Sequence, residues 1–146
     1  SIGYPDAQAE AEILRRRRER KEDQLTVEPI TDLSEILAMR ELVEEVFVHE
    51  DLERYMVSLV RRTREHTSIS VGSSPRGALA LMKVGRSIAA MAGRGFLIPD
   101  DVKACAVQAL RHRMVLSPEL WMRAQAAEDL LTSVIGSVPV PVVETR

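Results

Sequence analysis

Asp51-Leu52-Glu53-Arg54-Tyr55-Met56-Val57-Ser58-Leu59-Val60 places Leu52, Tyr55, Met56, Leu59 and Val60 at i, i+3, i+4, i+7 and i+8. That spacing puts the apolar side chains in one stripe of an α-helix, and Arg61, Arg62 and Arg64 continue the chain on the other faces. Upstream, Asp32-x-x-Glu35 fits a capping box, and Leu33, Ile36, Val43 and Phe47 recur at helical spacing, predicting a helix from Leu33 to about Val46. Further upstream, Asp6 follows Pro5 as an N-cap for a helix over Ala7 to about Lys21, with Glu12 four residues before Arg16. The polar stretch Glu22 to Pro29 between them reads as a connector.

Downstream, Thr67 to Ser74 breaks the periodicity, and Ser74-Pro75 opens a long helix by the Ser N-cap and Pro N1 preferences. Leu81, Val84, Ile88 and Met91 form its expected buried face, and Gly93 and Gly95 stop it. Pro99-Asp100-Asp101 begins another helix with acids at its positive end, buried through Val102, Ala106, Ala109 and Leu110. Ser117-Pro118-Glu119 restarts a helix, interrupted or continuous, to about Ile135, before the prolines of an extended tail. Phe96-Leu97-Ile98 and Met114-Val115-Leu116 are short apolar runs of equal length that pair in this reading. The expected fold class is therefore mainly all-α: a bundle of about five to six helices with at most one minimal two-stranded β patch near 96–98 and 114–116.

Composition agrees. Of 146 residues, 45% are hydrophobic but only 3% aromatic, an Ala, Leu, Val, Ile and Met-rich balance suited to helix-on-helix packing in one domain. The net charge of −2 supplies no overall basic field for nucleic acid. Arg15-Arg16-Arg17-Arg18, with Arg20 and Lys21, spreads around a helix circumference instead of forming a stripe. No segment approaches the roughly 18 apolar residues of a membrane span, and Ser1–Asp6 lacks the pattern of a signal peptide, so a cytoplasmic location is expected. Cys105, the single cysteine, sits in an apolar helical pattern and reads as a small core hydrophobe in a reducing compartment. The opening Ser1-Ile2-Gly3-Tyr4-Pro5 has no initiator Met, which suggests a chain cut from a longer one.

Most motif tests are negative. A phosphate loop needs a lysine directly after glycine, but Lys21, Lys83 and Lys103 follow Arg20, Met82 and Val102. Val46-Phe47-Val48-His49-Glu50-Asp51 reads as a helix junction, not a magnesium-binding strand. His49, His66 and His112 have no metal-ligand spacing with Cys105 or each other, and Gly93-x-Gly95 ends a helix where a dinucleotide loop begins one. No metal site, and no catalysis by this chain alone, is expected.

Ser74-Pro75-Arg76 differs. Arg76 falls in the first turn of a helix, where free N–H groups and the positive dipole end disfavour a cation unless an anion joins it. A guanidinium binds two phosphate oxygens at once and keeps its charge. The local pattern alone leaves open an ordinary surface arginine.

Several segments, in order, carry a resemblance: Thr63-Arg64-Glu65-His66, Val71-Gly72-Ser73-Ser74-Pro75-Arg76-Gly77, Gly93-Arg94-Gly95-Phe96, Ile98-Pro99-Asp100-Asp101-Val102-Lys103, Leu110-Arg111-His112-Arg113 and Leu116-Ser117-Pro118-Glu119. Together they resemble the C-terminal lid of MoxR-type AAA+ ATPases over nearly the whole chain. Gly3-Tyr4-Pro5 also resembles the segment by which that family leaves its nucleotide-binding core.

The resemblance implies residues 1–5 as a remnant of that link, a helical lid over 6–136 and an extended tail over 137–146. It implies a sensor-2 role for Arg76, with Ser74, Pro75 and Gly77 shaping the helix start, Gly77 standing where the family commonly has alanine. ATP and Mg2+ are the implied cofactors of the full-length ATPase. The implied partners are an AAA+ core, neighbouring subunits in a ring that is usually a hexamer, and von Willebrand factor A domain proteins undergoing chaperone-like remodelling. Two other classes compete: a stand-alone helical regulatory or DNA-binding module, and an oligomerisation bundle in which Arg76 is buried against an acid of its own chain.

Overall fold

A computed structural model of the chain describes residues 3–22, 27–123 and 126–142. The expected connector at Glu22–Pro29, the last helix near 124–125, and the two chain ends lie partly outside the described residues. The chain divides into two units, Ser1–Leu33 and Ser34–Arg146.

The first unit contains α1 (Ala7–Arg20). Asp6 caps it as expected, its carboxylate accepting from Ala9 N at 2.8 Å. Glu12 accepts from Arg15 and Arg16 at 2.7 Å, and Arg15 also reaches Glu19 at 2.9 Å. The hydrogen bonds from Arg15 and then Arg16 draw the Glu12 carboxyl down to about 2. The arginine run is thus knitted into its own helix surface. Lys21 ends the helix in the left-handed conformation, φ 60°.

The second unit takes in α2 (Leu33–Glu45) from its second residue, then α3 (Glu50–Glu65), β1 (Ile69–Val71), α4 (Pro75–Met91), α5 (Pro99–Leu110), β2 (Val115–Leu116) and α6 (Ala126–Ser137). Single 3-10 turns occupy Arg111–Arg113 and Pro118–Leu120, so the last helix is interrupted. The mainly α class is as expected.

The stripe of α3 is the centre of the core: Leu52, Tyr55, Met56, Leu59 and Val60 are all buried, against Leu81 of α4, Val102, Cys105 and Leu110 of α5, and Leu131 of α6. Each fully buried leucine contributes roughly 1.5–3 kcal/mol by leaving water. Cys105 sits among them, and burial pushes its thiol up to about 11. Ile69, Leu130 and Val134 form a satellite cluster.

Three local expectations need correction. Val115–Leu116 is a strand, but its antiparallel partner is Ile69–Val71 and not 96–98. Ile69 and Val71 are β-branched residues that suit a pleated edge, whereas Phe96 makes an isolated parallel bridge to Phe47: Phe47 N donates to Gly95 O and Leu97 N to Phe47 O, both at 2.9 Å. Phe47 therefore lies beyond α2, which has no buried residue and is tied to α4 by an Arg86–Glu44 ion pair of 2.6 Å. The expected buried face of α4 holds in part: Leu81 is buried and Ile88 packs half-buried against the core, but Val84 and Met91 are exposed, and the other buried positions are Gly77, Gly85 and Ala89. Small residues let α4 lie close to its neighbours: a Cβ on Gly85 would stand 2.9 Å from Leu97 Cδ1.

Candidate functional site

The segment from β1 into α4 is built against the last turn of α3. Gly72 lies on the α3 backbone, where a Cβ would stand 2.6 Å from Arg64 Cα, so only glycine passes. Ser73, fully buried, follows. Its N–H donates to Thr63 Oγ1 at 2.9 Å, and that hydroxyl donates to Val60 O at 2.6 Å. Its carbonyl accepts from Arg64 Nε at 2.7 Å. Both backbone polar groups of Ser73 are therefore satisfied by consecutive side chains of α3, as burial requires.

Ser74 takes the extended N-cap conformation, φ −76° and ψ 171°, and Pro75 occupies the first turn as expected. The Ser74 hydroxyl, however, makes no capping bond, so the backbone and not the side chain starts this helix. Gly77 N donates to Ser74 O at 2.8 Å. Gly77 is buried, and a Cβ there would overlap Ser73 Oγ and stand 3.0 Å from Leu110 Cδ2. Its small size is a packing requirement of this site, beyond the helix-propensity cost that sequence alone suggests.

Arg76 is exposed on the first turn of α4, a turn without acidic residues. Among the described residues it makes no hydrogen bond or ion pair. That is the opposite of the buried acid pair an oligomerisation bundle calls for.

The other segments singled out in the sequence are mainly joints. Arg94 donates through Nη1 and Nη2 to Asp101 at 2.8 and 2.6 Å, and Asp101 also accepts from Ile98 N at 3.1 Å. Burial pushes the Asp101 carboxyl up, but the Arg94 and Ile98 hydrogen bonds outweigh it and hold it below its ordinary 3.8. Arg113 Nε donates to Ala109 O at 3.0 Å and Arg111 pairs with Glu128 at 2.7 Å, closing the end of α5. His49 Nδ1 accepts from Asp51 N at 3.2 Å and His66 Nδ1 from Ser68 N at 3.1 Å, both local turn contacts, while His112 is exposed. Among the described residues no group of three or more His, Cys, Asp or Glu is placed to hold a metal ion. Among those residues, too, no helix is long and apolar enough to cross a membrane.

The AAA lid domain family model matches residues 61–134, half of the chain, spanning the end of α3 to most of α6. The chain belongs to the AAA lid domain family. Among its relatives are the uncharacterized protein YeaC of Bacillus subtilis, 33% identical over 97% of this chain and 44% of YeaC. Chaperone MoxR1 of Mycobacterium tuberculosis is 29% identical over 97% of this chain and 39% of its own length. Protein MoxR of Methylorubrum extorquens is 39% identical over 48% of this chain and 21% of its own. A crystal structure from Cytophaga hutchinsonii, named a "putative ATPase", superposes with a TM-score of 0.80 at 26% identity, over 97% of this chain and 45% of that one. The chain thus spans less than half the length of these relatives, and it is a lid of the MoxR-like kind.

Within the lid, the matched stretch contains every residue that builds the α4 start: Thr63, Arg64, Gly72, Ser73 and Arg76. The exposed guanidinium of Arg76 carries planar donors of a kind that suits phosphate oxygens. The lid presents no carboxylate cluster for Mg2+ among its described residues. Sequence reasoning singled out Arg76 but did not see the Ser73 clamp. The only signal for it is Thr63-Arg64 ahead of Gly72-Ser73, a spacing whose meaning depends on the turn between them.

Proposed function

We propose that the lid supplies Arg76 as the sensor-2 arginine of a MoxR-like AAA+ ATPase, contacting the γ-phosphate of ATP held between the lid and an ATP-binding core. The observation that carries this reading is the α4 start: an exposed permanent cation at the positive end of a helix, with no acid in its first turn and no partner among the described residues. Such a group gains most from an anion brought by a ligand. Bound ATP with Mg2+ supplies the cleavable phosphate bond. Arg76 compensates charge on the terminal phosphate, from its own or a neighbouring subunit, and loses that contact when the phosphate leaves. The lid then favours a different orientation, because its differential contact with the two nucleotide states is gone.

In this reading the parent is a ring-forming ATPase, a hexamer by family habit, that remodels or assembles partner proteins, von Willebrand factor A domain proteins among them. The relative named Chaperone MoxR1 supports a chaperone-like role. Steady-state ATP hydrolysis by the complete protein tests the core of it. With Arg76→Ala, kcat is expected to fall on the order of 100-fold, the usual loss when one preorganised donor to the transition state is removed. A parental rate in that variant overturns the assignment.

A further inference from the structure

An arginine with no hydrogen bond or ion pair among the described residues is aimed by the backbone that carries it. Arg76 rides on the first turn of α4, so its direction depends on where that helix starts. The start is fixed at Ser73, which the two-stranded sheet does not reach, since β1 ends at Val71. Instead the Thr63 hydroxyl accepts the Ser73 amide at 2.9 Å and Arg64 Nε donates to the Ser73 carbonyl at 2.7 Å. These bonds constrain the peptide units on both sides of Ser73. Gly72 seats against the Arg64 backbone and Gly77 leaves room for the Ser73 side chain, so packing holds the same residue from two more directions.

We infer that Thr63 and Arg64 are positioning residues for Arg76, a role that rests on the sensor reading above. The Arg64 bond is charge-assisted and directional, because Nε–H lies in the guanidinium plane, which a lysine cannot reproduce. Thr63 is fully buried, and its hydroxyl uses both its proton, toward Val60 O at 2.6 Å, and its lone pair. Removing either side chain frees one backbone group of Ser73 and lets the α4 start drift. The last turn of α3 thereby sets the geometry of a phosphate contact it does not itself make.

The test is a double-mutant cycle on ATP hydrolysis by the complete protein, using Arg76→Ala, Arg64→Met, Thr63→Val, Thr63→Ser and the pairs with Arg76→Ala, each checked for folding by thermal melting. Arg64→Met and Thr63→Val are expected to lower kcat roughly 10- to 100-fold, the scale of an ångström-level misplacement, with a smaller change in KM. Combining either with Arg76→Ala lowers kcat no further than Arg76→Ala alone, because the misplaced group is already absent. Thr63→Ser, which keeps the hydroxyl, stays near the parental rate. If Thr63→Val fails to fold, the exposed side chain of Arg64 carries the same test. Multiplicative losses in the pairs, or parental kcat in Arg64→Met and Thr63→Val beside a defective Arg76→Ala, overturn the positioning role and leave the sensor reading standing. A parental rate in Arg76→Ala removes the sensor reading, and this inference with it.

Discussion

Helices α4 and α5 enter alike, each through an extended residue and then proline, Ser74-Pro75 in one and Ile98-Pro99 in the other, but their first turns are finished differently. At α5 the Asp101 carboxylate accepts from Ile98 N and takes a two-pronged contact from Arg94. The chain supplies its own anion to the positive end of that helix, and a cation to the anion. At α4 the hydroxyl of Ser74 makes no cap bond, no acid lies in the first turn, and the charge present is the wrong one for the dipole. The first is a closed structural joint. The second is held firmly from behind, at Ser73, and left chemically open in front. In the proposed function the difference has a use: the start that the domain closes with its own residues serves the fold, and the start left with an exposed arginine is the one that receives an external anion.

The largest effect comes from opening the closed joint. Asp101→Ala removes an N-terminal cap and leaves Arg94 without its partner, with an expected loss of about 2–3 kcal/mol in urea unfolding. The same pair gives a signed pH dependence. Because folding lowers the Asp101 pKa from its ordinary 3.8, its stabilisation is present above 3.8 and is lost as pH falls toward the lower folded value. Asp101→Asn should flatten that acid limb, and an unchanged limb would show that other carboxyls set it.

A middle-sized effect probes the packing behind the open start. Gly77→Ala is expected to cost about 1 kcal/mol in the parent, the Cβ crowding Ser73 Oγ, and clearly less in a Ser73→Ala background, where the Oγ overlap is gone and the gain in helix propensity is set against the remaining approach to Leu110 Cδ2 at 3.0 Å. Equal effects in the two backgrounds would break the proposed Ser73–Gly77 coupling. The smallest effect has the opposite sign to the first: Arg76→Ala should raise the melting stability of the chain by roughly a few tenths of a kcal/mol, since it removes a cation from a helix N-terminus. A clear loss of stability would mean that Arg76 serves the fold, and the contrast between the two helix starts would fail.

Helix existence was legible wherever one face is buried by a strong apolar stripe. The α3 set Leu52, Tyr55, Met56, Leu59 and Val60 is buried as its spacing predicts, and Asp6, Pro75 and Pro99 mark helix starts that stand where expected. Legibility failed where glycine takes a large residue's place. On α4 the apolar residues Val84 and Met91 point outward while Gly77 and Gly85 face the core, because close approach between helices rewards the absence of a side chain. It failed again for the strand pair, since Phe96-Leu97-Ile98 and Ile69-Ser70-Val71 are both short apolar runs and only the path of the chain decides which one meets Val115.

The sequence by itself determined a helical lid of the MoxR-like kind and pointed to Arg76, because periodicity, helix-start residues and the order of short motifs are local and survive without a fold. Only the tertiary structure decided that Thr63 and Arg64 clamp Ser73, that Asp101 and Arg94 close α5, and that Arg76 has no described partner of its own. Those facts depend on donors and acceptors separated along the chain meeting within hydrogen-bond distance, and no spacing rule reports where a turn will bring them.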